Sequence, residues 1–164
     1  MVIIVIGVAG SGKTTIGKLL ADNLDWDFYD ADDFHPPDNV AKMRSGIPLT
    51  DADRDPWLQA LVVLIEKSLS DDRSIVLACS ALKASYRERL RAPARSAPNA
   101  VQIVYLRISP STATERLNQR QGHFMPATMV QSQFETLEEP NQAIVIDGTL
   151  TPDQIVAQIL KTLP

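Results

Sequence analysis

The chain alternates short apolar runs with longer stretches in which apolar residues recur every three or four positions. Val2-Ile3-Ile4-Val5-Ile6 is wholly apolar and β-branched, the pattern of a strand buried on both faces of a parallel sheet. Residues 13–24 carry Ile16, Leu19, Leu20 and Leu24 at the spacing of a helix lying on that sheet. Asp25-Trp26-Asp27-Phe28-Tyr29-Asp30 alternates polar and aromatic side chains, which predicts a short second strand ending in an acidic cluster. Over 35–55 the periodicity fails: Pro36-Pro37, Ser45-Gly46 and Pro48 break it, leaving one short helix around 39–44. Helical spacing returns with Trp57, Leu58, Leu61, Val62, Leu64, Ile65 and Leu69 and is ended by Asp71-Asp72.

A third strand over 74–79 runs into a turn at Ser80 or Ala81 and a helix with Leu82, Tyr86 and Leu90 on its apolar side. Residues 101–108 predict the fourth strand. Ser109-Pro110 then reads as an N-cap followed by proline at the first helical position, opening a helix through Arg120 that Gly122 stops. A short helix over 126–135 and a fifth strand over 143–146 follow, and a closing helix over 152–160 turns Ile155, Val156, Ile159 and Leu160 inward. Parallel strands need right-handed crossover connections, so this alternation predicts a three-layer α/β fold, a five-stranded parallel sheet flanked by helices. One domain accounts for the whole of 1–164, since a chain of this length closes a core without disulfide or metal staples.

Between the first strand and the first helix stands Gly7-Val8-Ala9-Gly10-Ser11-Gly12-Lys13-Thr14, which fits G-x-x-x-x-G-K-[ST] at every specified position. Glycines let such a loop curl its N–H groups toward phosphate oxygens, and the helix N-terminus adds partial positive charge. Lys13 then reaches the outer phosphates, the Thr14 hydroxyl holds Mg²⁺, and Thr15 continues the cradle. The glycine spacing is not G-x-G-x-x-G, so triphosphate chemistry is favoured over a dinucleotide. The expected fold is therefore that of a P-loop NTPase, with ATP as nucleotide.

Composition narrows the partners. Sixteen basic residues against twenty acidic ones leave a net charge of −4, no general attraction for nucleic acid or an anionic membrane. Cys79 is the only cysteine, which suits a reducing compartment, and the opening apolar run is too short for a signal peptide or membrane span. A cytoplasmic location is expected.

Phosphoryl transfer further needs an acid near Mg²⁺, a group to orient the attacking hydroxyl, and cations over the transferring phosphate. No aspartate ends the third or fourth strand, so the acids after the second strand must serve. Residues two apart in extended chain point the same way, so Asp30 and Asp32 both face the phosphates. Asp30 is assigned to Mg²⁺ through water and Asp32 to the substrate hydroxyl; a solvated turn or a helix N-cap is the bland alternative. His35 is either a substrate hydrogen-bonding group or a loop residue packed on Phe34. Lys83 and Arg87, spaced i and i+4 after Cys79-Ser80-Ala81-Leu82, place two cations on one helix face for a substrate carboxylate, and Arg54 is another carboxylate partner. Arg116 and Arg120 fit a flap over ATP or an ordinary helix end, and Asp147-Gly148-Thr149 fits an adenine edge or plain wiring.

These residues together resemble the gluconate kinases, small P-loop enzymes related to shikimate kinases. The resemblance rests on 7–14, on Asp30-Ala31-Asp32-Asp33-Phe34-His35-Pro36, on residues 42–51 with Asp53-Arg54 and Pro56-Trp57-Leu58, on Cys79-Ser80-Ala81-Leu82-Lys83 with Tyr86-Arg87, on Gly122-His123-Phe124-Met125-Pro126, and on Gln133-Phe134-Glu135-Thr136-Leu137-Glu138. It implies ATP-dependent phosphorylation of D-gluconate at the C6 hydroxyl, with a substrate-binding insertion at about 35–55 and a closing lid at about 118–135. Lys13, Asp32 and Arg120 become the catalytic set, with Arg116 on the nucleotide. His35, Arg54, Lys83, Arg87 and His123 fall to the sugar acid. The implied partner is D-gluconate, with neither nucleic acid nor membrane; a homodimer is compatible. Ala31 departs from the glycine expected in many relatives. Cys79-Ser80-Ala81 replaces the glycine triplet of a shikimate kinase. Shikimate or nucleoside monophosphate kinase, or a nucleotide-binding module without turnover, are the alternatives.

Overall fold

A computed structural model describes residues 1–120 and 127–164. The elements run β1 (Val2–Ile6), α1 (Lys13–Leu24), β2 (Asp27–Asp30), a 3₁₀ turn at Ala31–Phe34, α2 (Pro37–Arg44), α3 (Asp51–Ser70), β3 (Ile75–Cys79), α4 (Ala84–Arg91), 3₁₀ turns at Ala92–Ala94 and Pro98–Ala100, β4 (Val101–Arg107), α5 (Pro110–Gln119), α6 (Ala127–Thr136), β5 (Ile144–Asp147) and α7 (Pro152–Thr162). The strands form one sheet in the order β2-β3-β1-β4-β5, every pairing parallel. It is the three-layer α/β P-loop arrangement that the alternation predicted.

β1 lies at the centre because every one of its side chains is buried. Val2, Ile4 and Ile6 join the layer containing Trp57, Leu58, Leu61 and Leu90, while Ile3 and Val5 face Ile16, Leu20, Ile155 and Ile159 on the other side. Each fully buried Ile or Leu of this kind contributes about 1.5–3 kcal/mol through apolar area withdrawn from water. Parallel pairing sends the C-terminal ends of β1, β2, β3 and β4 to one edge of the sheet, and there the candidate site residues collect.

Two expectations change. Leu160 is exposed rather than inward, because α7 buries the stripe Ile155, Val156 and Ile159 and the next position turns away. The helix expected from Trp57 begins six residues earlier, at Asp51, and runs through Pro56. Its start is fixed by a capping box: the Asp53 N–H donates to Thr50 Oγ1 at 3.1 Å and the Thr50 N–H donates to Asp53 Oδ2 at 2.9 Å. Lys42 Nζ also reaches Asp53 at 2.8 Å, and the two sets of bonds hold the Asp53 carboxyl down to about 2. Replacing Thr50 with Ala removes the cap, and urea titration is expected to show a loss of about 1 kcal/mol of stability.

Candidate active site

α1 begins without a side-chain cap. Its N-cap is Gly12 in the left-handed region (φ 95°), no side chain accepts from its first N–H groups, and its first turn holds no acid. α3, α5 and α7, by contrast, are capped by Thr50, Ser109 and Thr151. The free amides of α1 are thus left to an external anion, with the helix dipole behind them. Gly10 (φ 81°) is held so close to α5 that a Cβ there would stand 2.9 Å from the Ala113 carbonyl oxygen. The loop accordingly keeps a bare backbone surface of the shape phosphate oxygens need.

Lys13 folds back across the loop, its Nζ donating to the Val8 carbonyl at 2.9 Å. Burial lowers its pKa, with the Asp32, Cys79 and Asp30 charges opposing that shift and Arg120 adding to it. Arg120, the residue that ends α5, is therefore near enough for its charge to act on the Lys13 ammonium.

The Thr14 hydroxyl donates to Asp30 Oδ2 at 2.8 Å, joining the start of α1 to the end of β2. Asp30 Oδ1 accepts the Asp32 N–H at 3.0 Å. Asp30 and Asp32 do converge, but not through the two-residue repeat of a strand. β2 stops at Asp30, and Asp32 sits in the following 3₁₀ turn, which Asp30 caps. Burial raises the Asp32 pKa, the like charge of Asp30 raises it further, and Lys13 opposes both. A carboxylate made more basic in this way is suited to accept a proton from a hydroxyl. The oxygen donors of Thr14 and Asp30 fit a hard divalent cation such as Mg²⁺.

On the other side lie the residues of the insertion and the turn after β3. His35 stacks on Trp57 (centroids 4.6 Å apart, planes 10° apart), not on Phe34, and its Nδ1 is 3.4 Å from Asn39 Nδ2. Trp57 Nε1 donates to the Ala31 carbonyl at 2.7 Å, anchoring the acidic turn to α3. Burial and the charge of Arg54 keep His35 on the neutral side of its ordinary range. Lys83 is the N-cap of α4 in extended conformation and pairs with Asp51 at 2.8 Å; Tyr86 also donates to Asp51, and Arg54 stands 4.0 Å away.

Lys83 and Arg87 consequently do not share a helix face. Lys83 precedes the helix, and Arg87, 6% exposed, points inward. Its guanidinium donates to the carbonyls of Ala81 (2.9 Å), Leu82 (2.8 Å) and Glu138 (2.7 Å). Arg87 is placed as a strut rather than as a cation open to a substrate carboxylate. What it braces is Ala81, an alanine at φ 37° in the left-handed region. Arg116 is likewise engaged with backbone, reaching Gly148 O at 2.7 Å and Gly10 O at 3.4 Å, so that it links the phosphate loop to the turn after β5. His123 lies outside the described residues. Cys79, fully buried, has its thiol pushed up to about 12 by burial and is chemically quiet.

Residues 2–152 match the family described as AAA domain. Over 162 residues the sequence is 41% identical to a gluconokinase from Gluconobacter oxydans (strain 621H), covering 97% of this chain and 89% of that one. The chain belongs to the gluconokinase family. A crystal structure of a gluconokinase from Sinorhizobium meliloti 1021 is similar with a TM-score of 0.86 at 42% identity, over 98% of this chain and 90% of that one. Shikimate kinase from Aquifex aeolicus vf5 shares the fold at a TM-score of 0.63 and 23% identity, over 99% of this chain and 96% of that one.

The departure of this gluconokinase-family chain at Ala31 carries no backbone cost, because Ala31 is absent from the residues at positive φ and its methyl is buried. Glycine freedom would be needed instead at Ala81. Among the described residues no helix is long and apolar enough to cross a membrane.

Proposed function

We propose that the protein transfers the γ-phosphoryl group of ATP to the C6 hydroxyl of D-gluconate in the cytoplasm, giving 6-phospho-D-gluconate. The observation that carries this reading is the convergence of Asp30 and Asp32 on the phosphate loop, with Asp32 made more basic beside the Lys13 ammonium. Asp32 orients the attacking hydroxyl and accepts its proton. Lys13 and Arg120 face the negative charge that develops on the transferring group, and Arg116 fixes the loop that presents the nucleotide. Thr14 and Asp30 are the residues that would hold Mg²⁺, which when bound neutralises phosphate charge.

Arg54 and Lys83, gathered at Asp51, are the cations proposed for the sugar-acid carboxylate. In this reading the chain is one kinase domain over 1–164, with the insertion at 35–55 and the lid at about 118–135. The full-length identity to gluconokinases supports gluconate over shikimate.

The test is ADP release with ATP and Mg²⁺ over a panel of D-gluconate, other sugar acids, shikimate and AMP. Turnover with gluconate above all others is expected; turnover with shikimate or AMP and none with gluconate sinks the reading.

A further inference from the structure

One six-residue span touches both halves of the site. At its start, in α6, Gln133 Oε1 accepts the Ala9 N–H of the phosphate loop at 2.6 Å, across 124 positions of sequence. At its end, beyond α6, the Glu138 N–H donates to Leu82 O at 3.0 Å, and Glu138 Oε2 accepts the Ala84 N–H at 2.6 Å. Glu138 also offers its carbonyl to Arg87, the residue that holds the left-handed Ala81. Between these anchors Phe134 and Leu137 pack with Val8, Leu82 and Leu117 in one apolar cluster. The phosphate loop and the turn leading to Lys83 are therefore tied to the same short segment.

We propose that Gln133 and Glu138 are positioning residues that keep the nucleotide and sugar-acid halves of the site in register, so that occupancy of one favours occupancy of the other. The physical case rests on what each bond restrains. Ala9 lies two residues after Gly7 in a loop with several left-handed residues, and its N–H needs a fixed acceptor if the loop is to hold one shape. Ala84 opens α4, and a carboxylate on its N–H supplies the cap that Lys83 does not provide. An apolar-packed helix end transmits a shift at one anchor to the other because close-packed interiors deform little. The proposal rests on the phosphotransfer reading for its two ligands, but its nucleotide arm is measured without a sugar acid.

The experiment compares Gln133→Leu, Glu138→Ala and Glu138→Gln with the parent protein. Binding of a non-hydrolysable ATP analogue is measured by calorimetry with and without gluconate, beside steady-state KM and kcat for both substrates. Gln133→Leu is expected to weaken the analogue about fivefold without gluconate, the order of one hydrogen bond. Glu138→Ala is expected to raise the gluconate KM by a similar factor and leave analogue binding alone near parental, while Glu138→Gln, which retains an acceptor for Ala84, recovers most of the gluconate affinity. The mutual tightening of the two ligands should fall in Gln133→Leu and Glu138→Ala alike, since coupling is reciprocal.

Unchanged analogue binding in Gln133→Leu, or retained mutual tightening in both variants, overturns the proposal. So does a uniform loss in which kcat and melting temperature fall and both KM values rise by the same factor, which marks a merely structural brace. Failure of gluconate as a substrate in the parent sinks the proposed reaction, whereas the Gln133 arm still stands or falls on analogue binding alone.

Discussion

Asp32→Asn is expected to retain ATP binding and to lose between about a hundredfold and ten-thousandfold in kcat, the range for removal of a positioned general base. The amide keeps the shape of the side chain, and Lys13, Asp30 and the loop remain to hold the nucleotide. What it cannot do is take the hydroxyl proton. Because burial and Asp30 raise the pKa of Asp32, the acid limb of kcat/KM should lie above the ordinary carboxylate value of 3.8, activity falling as pH drops through it. Stability carries the opposite sign. A carboxyl whose folded pKa exceeds its unfolded one favours folding most below the unfolded value, and that contribution is lost as pH rises through the folded value. The Asn variant, free of a buried charge, should therefore melt higher than the parent at neutral pH while turning over far more slowly. A kcat within threefold of the parent, read by coupled ADP release, rules Asp32 out as the base.

Lys13→Met should lower kcat/KM for ATP by about a hundredfold to a thousandfold, the cost of deleting one preorganised charge aimed at a developing anion. Lys13→Arg is expected to restore little. The ammonium sits within the loop with Val8 O as its partner at 2.9 Å, and a planar guanidinium needs more room and a different donor geometry. The same assay decides it, with circular dichroism to establish that both variants fold. Recovery by arginine to near the parental rate would show that charge alone suffices there.

How far these assignments were legible in the sequence depended on how local the signal was. The phosphate loop, the buried first strand and the Ser109-Pro110 cap are written in adjacent residues and appear where they were expected. The early start of α3 was also written locally, in Thr50 and Asp53, but apolar periodicity sets in only at Trp57, and the capping box rather than that periodicity fixes where the helix begins. Asp30 and Asp32 converge through a 3₁₀ turn that period-two reasoning does not describe.

Arg87 shows where local reading ends. Whether an arginine faces a ligand or braces its own backbone depended here on the unusual φ of Ala81 and on Glu138, 51 residues away. No spacing rule links them. Gln133 and Ala9 are farther apart still, and only the packing of α6 over the loop brings them together.

The uncapped start of α1 has a thermodynamic corollary. The contacts that a phosphate makes with those amides are the same ones that would complete the first turn of a central helix, so the ligand acts as a missing piece of secondary structure. By mass action, a ligand that binds only the folded chain adds about 2.7 kcal/mol at a hundred times its Kd. The melting temperature of this protein is then expected to rise with the concentration of the phosphate-bearing ligand around it.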